Sequence, residues 1–291
     1  MSRPYPAIPM AGAVVVVTGG ARGIGLSTAS RFIARGARVA IGDLDELAAQ
    51  TAAASLGESA RGYQVDVGDT ESFRAFLDRV EDEIGPVEIL INNAGIMPIG
   101  AFLAEPEEVT RATFAVNVFA HMTAARIIAP RMIARGRGHI VNVTSAAGKI
   151  HSAGLAGYTA AKHAATAFSR SLREELRPHG VSVSAVLPSA INTQLVDGIP
   201  LGVVRIGVLP PSVVARRIES TVRRRPALAG APHGLVPLLT FANLVPEWLW
   251  LAGRRLVNAD RTLGPIDRVA RAEYDARITA NAAHSAEEPR P

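Results

Sequence analysis

Blocks of apolar and polar positions alternate along the chain. Short, mostly apolar runs at about 13–17, 38–42, 61–65, 87–91, 138–144 and 181–187 have the length of strands. Segments at about 23–35, 45–55, 70–84, 107–133, 153–177 and 211–225 instead repeat apolar residues at helical spacing. The run Ala13 to Val17 has no polar position, the pattern of a strand buried on both faces. Such alternation predicts an α/β fold, a doubly wound parallel sheet with helices on both faces and right-handed crossovers. No internal repeat or linker divides residues 1–265, which read as a single domain. Residues 266–291 are polar and end in Glu-Glu-Pro-Arg-Pro, so they read as a surface helix or a disordered tail.

The stretch Gly234 to Ala252 breaks the pattern, because it is apolar almost throughout and nearly long enough to span a bilayer. Pro237, Asn243, Pro246 and Glu247 cut it into two short pieces, so a spanning helix is not expected. It reads as a C-terminal helical extension of the domain. Three roles stay open: a helix pair packed on the domain or on a second subunit, a wall for a lipophilic substrate, or a peripheral membrane contact over 234–255. Arg254 and Arg255 flank the last of these. Both tryptophans, Trp248 and Trp250, lie here, and Trp favours sites with one apolar and one wet side.

A chain of 291 residues with 48% hydrophobic content can build one large core. It has no cysteine, which removes disulfides, thiolate catalysis and zinc–thiolate sites. His121, His139, His151 and His163 share no metal-ligand spacing, so no metal is expected. Met1 to Met10 holds three prolines and no apolar core, unlike a signal peptide. A cytoplasmic location is the expectation, with membrane association through 234–255 as its variant. The net charge is +5, and arginine is densest over 205–225, at Arg216, Arg217, Arg223, Arg224 and Arg225. A solvated helix face explains this more simply than nucleic acid, since no aromatics interleave and no groove-reading motif appears. An anionic membrane surface or an acidic carrier protein is the remaining partner class.

Candidate chemistry begins at the first predicted strand. Thr18-Gly19-Gly20-Ala21-Arg22-Gly23-Ile24-Gly25 follows it and opens a helix. Glycines between strand and helix let backbone approach a pyrophosphate, and the helix N-terminus offers it free N–H groups. Asp43 ends the second strand, eighteen residues beyond Gly25, where a dinucleotide site places its ribose-binding acid. That carboxylate would repel a 2′-phosphate and so favours NAD over NADP. Arg22 weighs mildly the other way, and Asp43 or Asp45 could equally cap the next helix.

Tyr158 and Lys162 are four residues apart and share a helix face, and Ser145 lies thirteen residues before the tyrosine. A phenol with a pKa near ~10 is a poor acid–base at neutral pH, and a nearby ammonium favours its ionised form. A serine alongside can hold a carbonyl or hydroxyl oxygen while the tyrosine moves its proton. Thr144 competes for that place, but its strand parity is opposite, so one of the two faces the crevice. Asn117 sits in the apolar helical run Phe-Ala-Val-Asn-Val-Phe, where an amide is costly unless hydrogen-bonded.

Taken together these motifs resemble the short-chain dehydrogenase/reductase family. The resemblance rests on Thr18-Gly19-x-x-x-Gly23-Ile24-Gly25, Asp66-Val67, Asn92-Asn93-Ala94-Gly95, Asn117, Ser145 and Tyr158-x-x-x-Lys162, and runs from about Gly12 to Thr193. It implies a Rossmann-type fold and hydride transfer between NAD, or NADP, and an alcohol or its carbonyl partner. Tyr158 would be the general acid–base, Ser145 the orienting hydroxyl, Lys162 the ribose ligand that lowers the tyrosine pKa, and Asn117 the support of a proton relay. The cofactor would meet Gly19, Arg22, Gly23, Ile24, Gly25, Asp43, the Asp66–Val67 pair at adenine, Asn93, Ala94, Gly95, Tyr158, Lys162, Pro188, Ile191 and Thr193. Two departures stand out: Pro188 is followed by Ser189 where the family has Gly, and Pro226 to Gly230 is a poor candidate for the family's seventh strand. The resemblance also implies a homo-oligomer, dimer or tetramer, through the helices carrying Asn117 and Tyr158.

The substrate is written in loops rather than motifs. Residues 195–210 form an apolar, glycine-rich lid candidate, which points to a lipophilic alcohol or ketone. Two alternatives stay in view: an NADPH-dependent 3-ketoacyl-carrier reductase, against which Asp43 counts, and a non-catalytic nucleotide-binding sensor, against which Ser145, Tyr158 and Lys162 count.

Overall fold

The computed structural model describes residues 5–189, 191, 208–242, 244–246, 248, 249, 267, 271, 272, 274–276 and 278. Its strands are β1 (Val14–Thr18), β2 (Arg38–Asp43), β3 (Ala60–Gln64), β4 (Val87–Asn92), β5 (Gly138–Val143), β6 (Val181–Pro188) and β7 (Leu228–Ala231). They form one parallel sheet in the order β3-β2-β1-β4-β5-β6-β7. The order reverses between β1 and β4, and in open α/β sheets ligands bind beyond the carboxyl ends of the strands at that reversal.

Strand parity divides the core. Val15, Val17, Ile89, Ile91, Val141 and Val143 face α1 (Gly23–Ile33), α2 (Glu46–Leu56) and α7 (Pro211–Arg224). Val14, Val16, Leu90, Ile140 and Val183 face the other way, onto α3 (Thr70–Glu83), α5 (Ala120–Ala134) and α6 (Ala156–Leu176). Each such aliphatic side chain, fully buried, contributes on the order of 1.5–3 kcal/mol. Apolar residues on both strand faces are therefore what a doubly covered sheet requires, as the Ala13–Val17 run foretold.

Three segments differ from expectation. The poor strand candidate after Arg225 is a strand after all: β7 pairs with β6, Val186 opposite Ala229 and Leu187 opposite Gly230. Its Leu-Ala-Gly-Ala sequence has little β-propensity, but an edge strand is held by its neighbour's backbone and by burial of small residues, here Ala229 and Ala231. The helix expected over 107–133 is interrupted. α4 (Glu107–Phe114) passes into a π-helical turn at Ala115–Phe119 before α5. The whole run Glu107–Ala134 is long and apolar enough to cross a membrane, but Ala124, Ile128 and Met132 lie buried against the sheet. Finally, the expected surface or disordered tail contains buried residues. Tyr274 and Ile278 pack with Ile96, Val109 and Ala112, and Arg271 is buried beside Tyr274. Their i, i+3, i+7 spacing puts them on one helical face, which a reading by polarity alone conceals.

α8 (Leu235–Ala242) leans on β7 and buries Leu239. Leu238, Phe241, Leu244, Trp248 and Leu249 remain exposed, Trp248 at 70%. Trp250 and residues 195–207 of the lid candidate lie outside the described residues.

Candidate active site

The first turn after β1 is shaped around missing side chains. Gly19 has φ +59, and a Cβ there would sit 2.9 Å from the Ala94 Cα. At Gly25 a Cβ would strike the Gly19 carbonyl and come within 2.8 Å of the Asn93 amide nitrogen. Asn93 braces this turn: its Nδ2 donates to the carbonyls of Thr18 (3.0 Å) and Gly19 (2.9 Å). The Thr18 hydroxyl accepts from the backbone N–H of Asn93 (3.1 Å) and Ala94 (3.2 Å). Strands β1 and β4 are thus locked together at their carboxyl ends. Arg22 is the N-cap of α1 and supplies no side-chain cap, so the first N–H groups beside Gly23 and Ile24 stay open. Such a turn could hold a pyrophosphate.

Asp43 stands at the rim of that turn. Its Oδ2 accepts from the Ala21 N–H (3.1 Å) and its Oδ1 from the Asp45 N–H (3.4 Å). The cap of α2 is Asp45, through the Ala48 N–H (3.0 Å). Arg22 reaches Asp45 as well (3.2 Å), in an exposed pair worth little by itself. On the far side, Asp66 accepts from the Gly68 N–H (2.7 Å), and Val67 is buried beside it. The glycine turn, Asp43 and the Asp66–Val67 pair thus line one carboxyl edge of the sheet, and a dinucleotide fits the residues present.

The reacting groups meet at the same edge. Ser145 follows β5, and α6 carries Tyr158 and Lys162 back over it. The Ser145 hydroxyl accepts from the Ala147 N–H (3.1 Å) and lies close enough to the Tyr158 phenol to favour its ionised form. Thr144 points away and donates to the Val186 carbonyl (3.1 Å), as opposite parity requires. Lys162 is 4% exposed; its Nζ donates to the Val143 carbonyl (3.2 Å) and lies 5.7 Å from the Tyr158 ring centre. A Cβ on Gly95 would sit 2.8 Å from Asn117 Oδ1 and 3.4 Å from Lys162 Nζ, so these two polar atoms share one small space. Asn117, fully buried in the π-helical turn, donates to the Ile96 carbonyl (2.8 Å). Its Oδ1 has no protein partner among the described residues. π-turns inside helices recur at functional sites.

Burial dominates the electrostatics of Tyr158 and Lys162. Burial pushes the Tyr158 phenol up, and the Ser145 hydroxyl pulls it part of the way back. Burial also pushes the Lys162 ammonium down to about 7, which weakens its charge at neutral pH.

Pro188 ends β6, and Ile191, buried, bridges to Leu209. Thr193 lies outside the described residues. Two contributions escaped sequence reasoning. His121, one turn beyond Asn117, is buried with neither ring nitrogen partnered among the described residues. Burial, then the Lys162 charge, pushes it down to about 3. Polar residues at 117 and 121 in an apolar helix were a signal, four apart on one face. Tyr274 and Arg271 hold the loop after Gly95, the Tyr274 hydroxyl accepting from the Met97 N–H (3.0 Å) and Arg271 donating to the Met97 carbonyl. Nothing in their local sequence marks them.

An open α/β sheet with a glycine turn at its reversal point and a Ser–Tyr–Lys set beside it defines a dinucleotide-dependent class of enzyme. The family model "short chain dehydrogenase" matches residues 13–201. The chain is 41% identical over 192 residues to 1-deoxy-11-beta-hydroxypentalenate dehydrogenase of Streptomyces exfoliatus, covering 63% of this chain and 69% of the relative. It is 36% identical over 180 residues to galactitol 2-dehydrogenase of Agrobacterium fabrum, covering 62% and 70%. It is 31% identical over 245 residues to estradiol 17-beta-dehydrogenase 11 of Mus musculus, covering 82% and 81%. The chain belongs to the short-chain dehydrogenase family and is an oxidoreductase with a Rossmann-type fold.

Proposed function

We propose that this oxidoreductase interconverts a lipophilic alcohol and its ketone or aldehyde, with NAD as hydride carrier and Tyr158 as general acid–base. The observation that carries the reading is the convergence of Ser145, Tyr158, Lys162 and Asn117 on one side of the glycine turn. A bound nicotinamide supplies the hydride acceptor or donor. Asp43, beside the Ala21 N–H, would hold the adenosine ribose hydroxyls, and Arg22 is already directed to Asp45. Both features support NAD over NADP, and so count against the 3-ketoacyl-carrier reductase reading.

In reduction, Tyr158 enters as a neutral phenol and donates its proton to the carbonyl oxygen that Ser145 orients. In oxidation it must take the alcohol proton, and a phenol held up by burial makes that direction the more pH-dependent one. Lys162 would hold the nicotinamide ribose and, when protonated, favour the phenolate. Asn117 holds the end of a path for protons through its unpartnered Oδ1.

The lipophilic class is supported by the rim. Phe102 and Leu103 follow β4, and Leu238, Phe241 and Leu244 flank the turn after β5, where Lys149 donates to Thr240 (3.2 Å); all five apolar side chains are exposed. The relatives are named for hydroxypentalenate and estradiol as well as for galactitol, and this apolar rim suits a substrate of the first kind.

The test is a panel of secondary alcohols and ketones, polar and apolar, assayed with both cofactors in wild type and Tyr158→Phe. We expect turnover of apolar members with NAD, falling about 10²–10⁴-fold in the variant while nucleotide binding persists. Wild-type-like turnover in Tyr158→Phe would remove the tyrosine from the mechanism.

A further inference from the structure

We propose that the protein carries a second binding site, an arginine-lined cleft at the amino-terminal end of the sheet that takes a compact ligand with clustered phosphate groups. The proposal is independent of the active-site reading, because the cleft lies at the opposite end of the strands.

The cleft has a volume of about 830 Å³ and runs between the segment Tyr5–Met10 and the last turns of three helices. Arg31 and Arg35 reach it from the end of α1, and Arg173 from the end of α6. Arg216, Arg223 and Arg224 reach it from α7, and Arg225 caps that helix. The 205–225 arginine run by itself reads as a solvated face. Only folding joins it to arginines 40 to 190 residues away in sequence.

These charges are poorly compensated. The one carboxylate in the lining, Glu219, takes Arg31 and Arg35 (2.9 Å for the latter). Arg173 donates to the carbonyls of Val183 (2.7 Å) and Arg225 (2.6 Å) and lies over the Tyr5 ring. Arg225 donates to the Ser182 hydroxyl (2.7 Å) and the Pro6 carbonyl (3.4 Å). Both are held in place by neutral acceptors. Arg216, Arg223 and Arg224 form no ion pair among the described residues, and all three are exposed. Seven guanidiniums against one carboxylate leave a net +6 in the lining.

The simplest competing account is that arginines here only neutralise helix C-termini. Three helix ends supply roughly −0.5 each, about −1.5 in all, which leaves more than four positive charges unanswered. Arg225 also occupies a left-handed conformation, φ 51, that favours glycine. Its side chain turns inward to Ser182 and Pro6. Burial pushes Arg225 down to about 10, Tyr5 pulls part of the way back up, and the Arg173 charge adds a smaller downward push.

Guanidinium forks match phosphate oxygens two at a time, and a concave cleft concentrates the positive field. The Tyr5 ring is covered by Arg173, so no free aromatic platform exists in the lining for bases. Clustered phosphates, on a soluble metabolite or on a lipid headgroup, are therefore the chemistry the cleft suits.

The test uses the full chain saturated with NAD, which occupies the glycine turn, and sodium tripolyphosphate as probe in titration calorimetry. We expect one site per chain, weakened by added salt. The variant Arg216→Ser/Arg223→Ser/Arg224→Ser, on exposed positions remote from the chemistry, should bind at least about 10-fold more weakly with alcohol turnover unchanged. A second arm uses phosphatidylcholine vesicles with and without a phosphoinositide. Sedimentation that needs the phosphoinositide and the three arginines assigns the site to a headgroup; tripolyphosphate binding without sedimentation assigns it to a soluble ligand. The proposal is overturned if tripolyphosphate does not bind, or if the triple variant binds it as wild type does. It is equally overturned if Arg61→Ser/Arg74→Ser, on a distant surface, weakens binding as much.

Discussion

Replacing Lys162 by Met measures what the site spends to keep an ammonium indoors. Burial pushes Lys162 from its ordinary 10.5 down to about 7. At ~1.4 kcal/mol per pH unit, that gap makes the protonated lysine about 5 kcal/mol less favourable in the folded chain than in the unfolded one. Below pH 7 both states hold the proton and the full penalty acts. Between 7 and 10.5 the unfolded chain holds more protons than the folded chain, so wild-type stability rises with pH. Methionine has similar length and no charge, but it leaves the Val143 carbonyl without its 3.2 Å donor, which costs ~1–3 kcal/mol. The Met variant should therefore be more stable than wild type by ~2–4 kcal/mol at pH 6. Its advantage should shrink by ~1.4 kcal/mol per pH unit above 7 and vanish near about pH 9. Urea unfolding of both proteins at pH 6, 7, 8 and 9, at one ionic strength, reads this directly, because groups remote from Lys162 cancel in the difference and His121, which feels the Lys162 charge, is held low mainly by burial. A difference that stays flat over that range, or a variant less stable at pH 6, refutes the reasoning.

Three further outcomes are expected. Asp43→Ser should narrow or reverse a preference for NAD, read as the ratio of kcat/KM with the two cofactors; a wild type that already prefers NADP would leave Asp43 as a loop brace for the Ala21 N–H. His121→Leu should raise Tm, since it removes two buried ring nitrogens without protein partners, by the equivalent of ~1–3 kcal/mol, and should lower kcat with little change in KM; an unchanged kcat would make the ring mere packing. Trp248→Ala with Phe241→Ser should raise KM for long-chain alcohols more than for short ones, or reduce co-sedimentation with vesicles; loss of neither would make this apolar surface irrelevant to substrate and membrane alike.

The nucleotide turn and the Ser145, Tyr158, Lys162 set are legible in the sequence because each works through short spacing. A glycine turn between strand and helix, a four-residue helical step and a parity choice between Thr144 and Ser145 all follow from local geometry. The core is legible for the same reason, since period-two and period-3.6 patterns report burial directly. What is not legible arises between distant segments. β7 is a strand because β6 offers it a backbone ladder, not because Leu-Ala-Gly-Ala prefers one. Tyr274 matters because it meets Met97, 177 residues away. The raised Tyr158 phenol follows from burial that three helices and a sheet create together, and no spacing rule encodes the depth of a pocket. The π-helical turn at Ala115–Phe119 leaves no trace in hydrophobic periodicity, because one extra residue per turn looks like ordinary drift.

The placement of unpaired polar atoms ties these costs to the site rather than to the fold. Along α5 beyond the first turn, Ala124, Ile127, Ile128, Ala129 and Met132 join the core on this side of the sheet, all apolar and all buried. A helix of that composition would be more stable with Leu at 117 and 121 as well. Instead Asn117 Oδ1 and both His121 nitrogens are buried without protein partners among the described residues, and Lys162 is buried near them. Buried orphans are rare in folded proteins and each costs ~1–3 kcal/mol. Scattered at random they would read as packing faults. Other buried atoms lack partners among the described residues too, as at Asn92, Thr159 and Ser189, but these three lie on one short helical stretch, with Asn117 Oδ1 and Lys162 Nζ facing one space beside a glycine whose Cβ would collide with Asn117, and they form one polar chamber. Such a chamber costs stability, and the proposed role of Tyr158 as general acid–base gives it a use, as a path for the tyrosine proton.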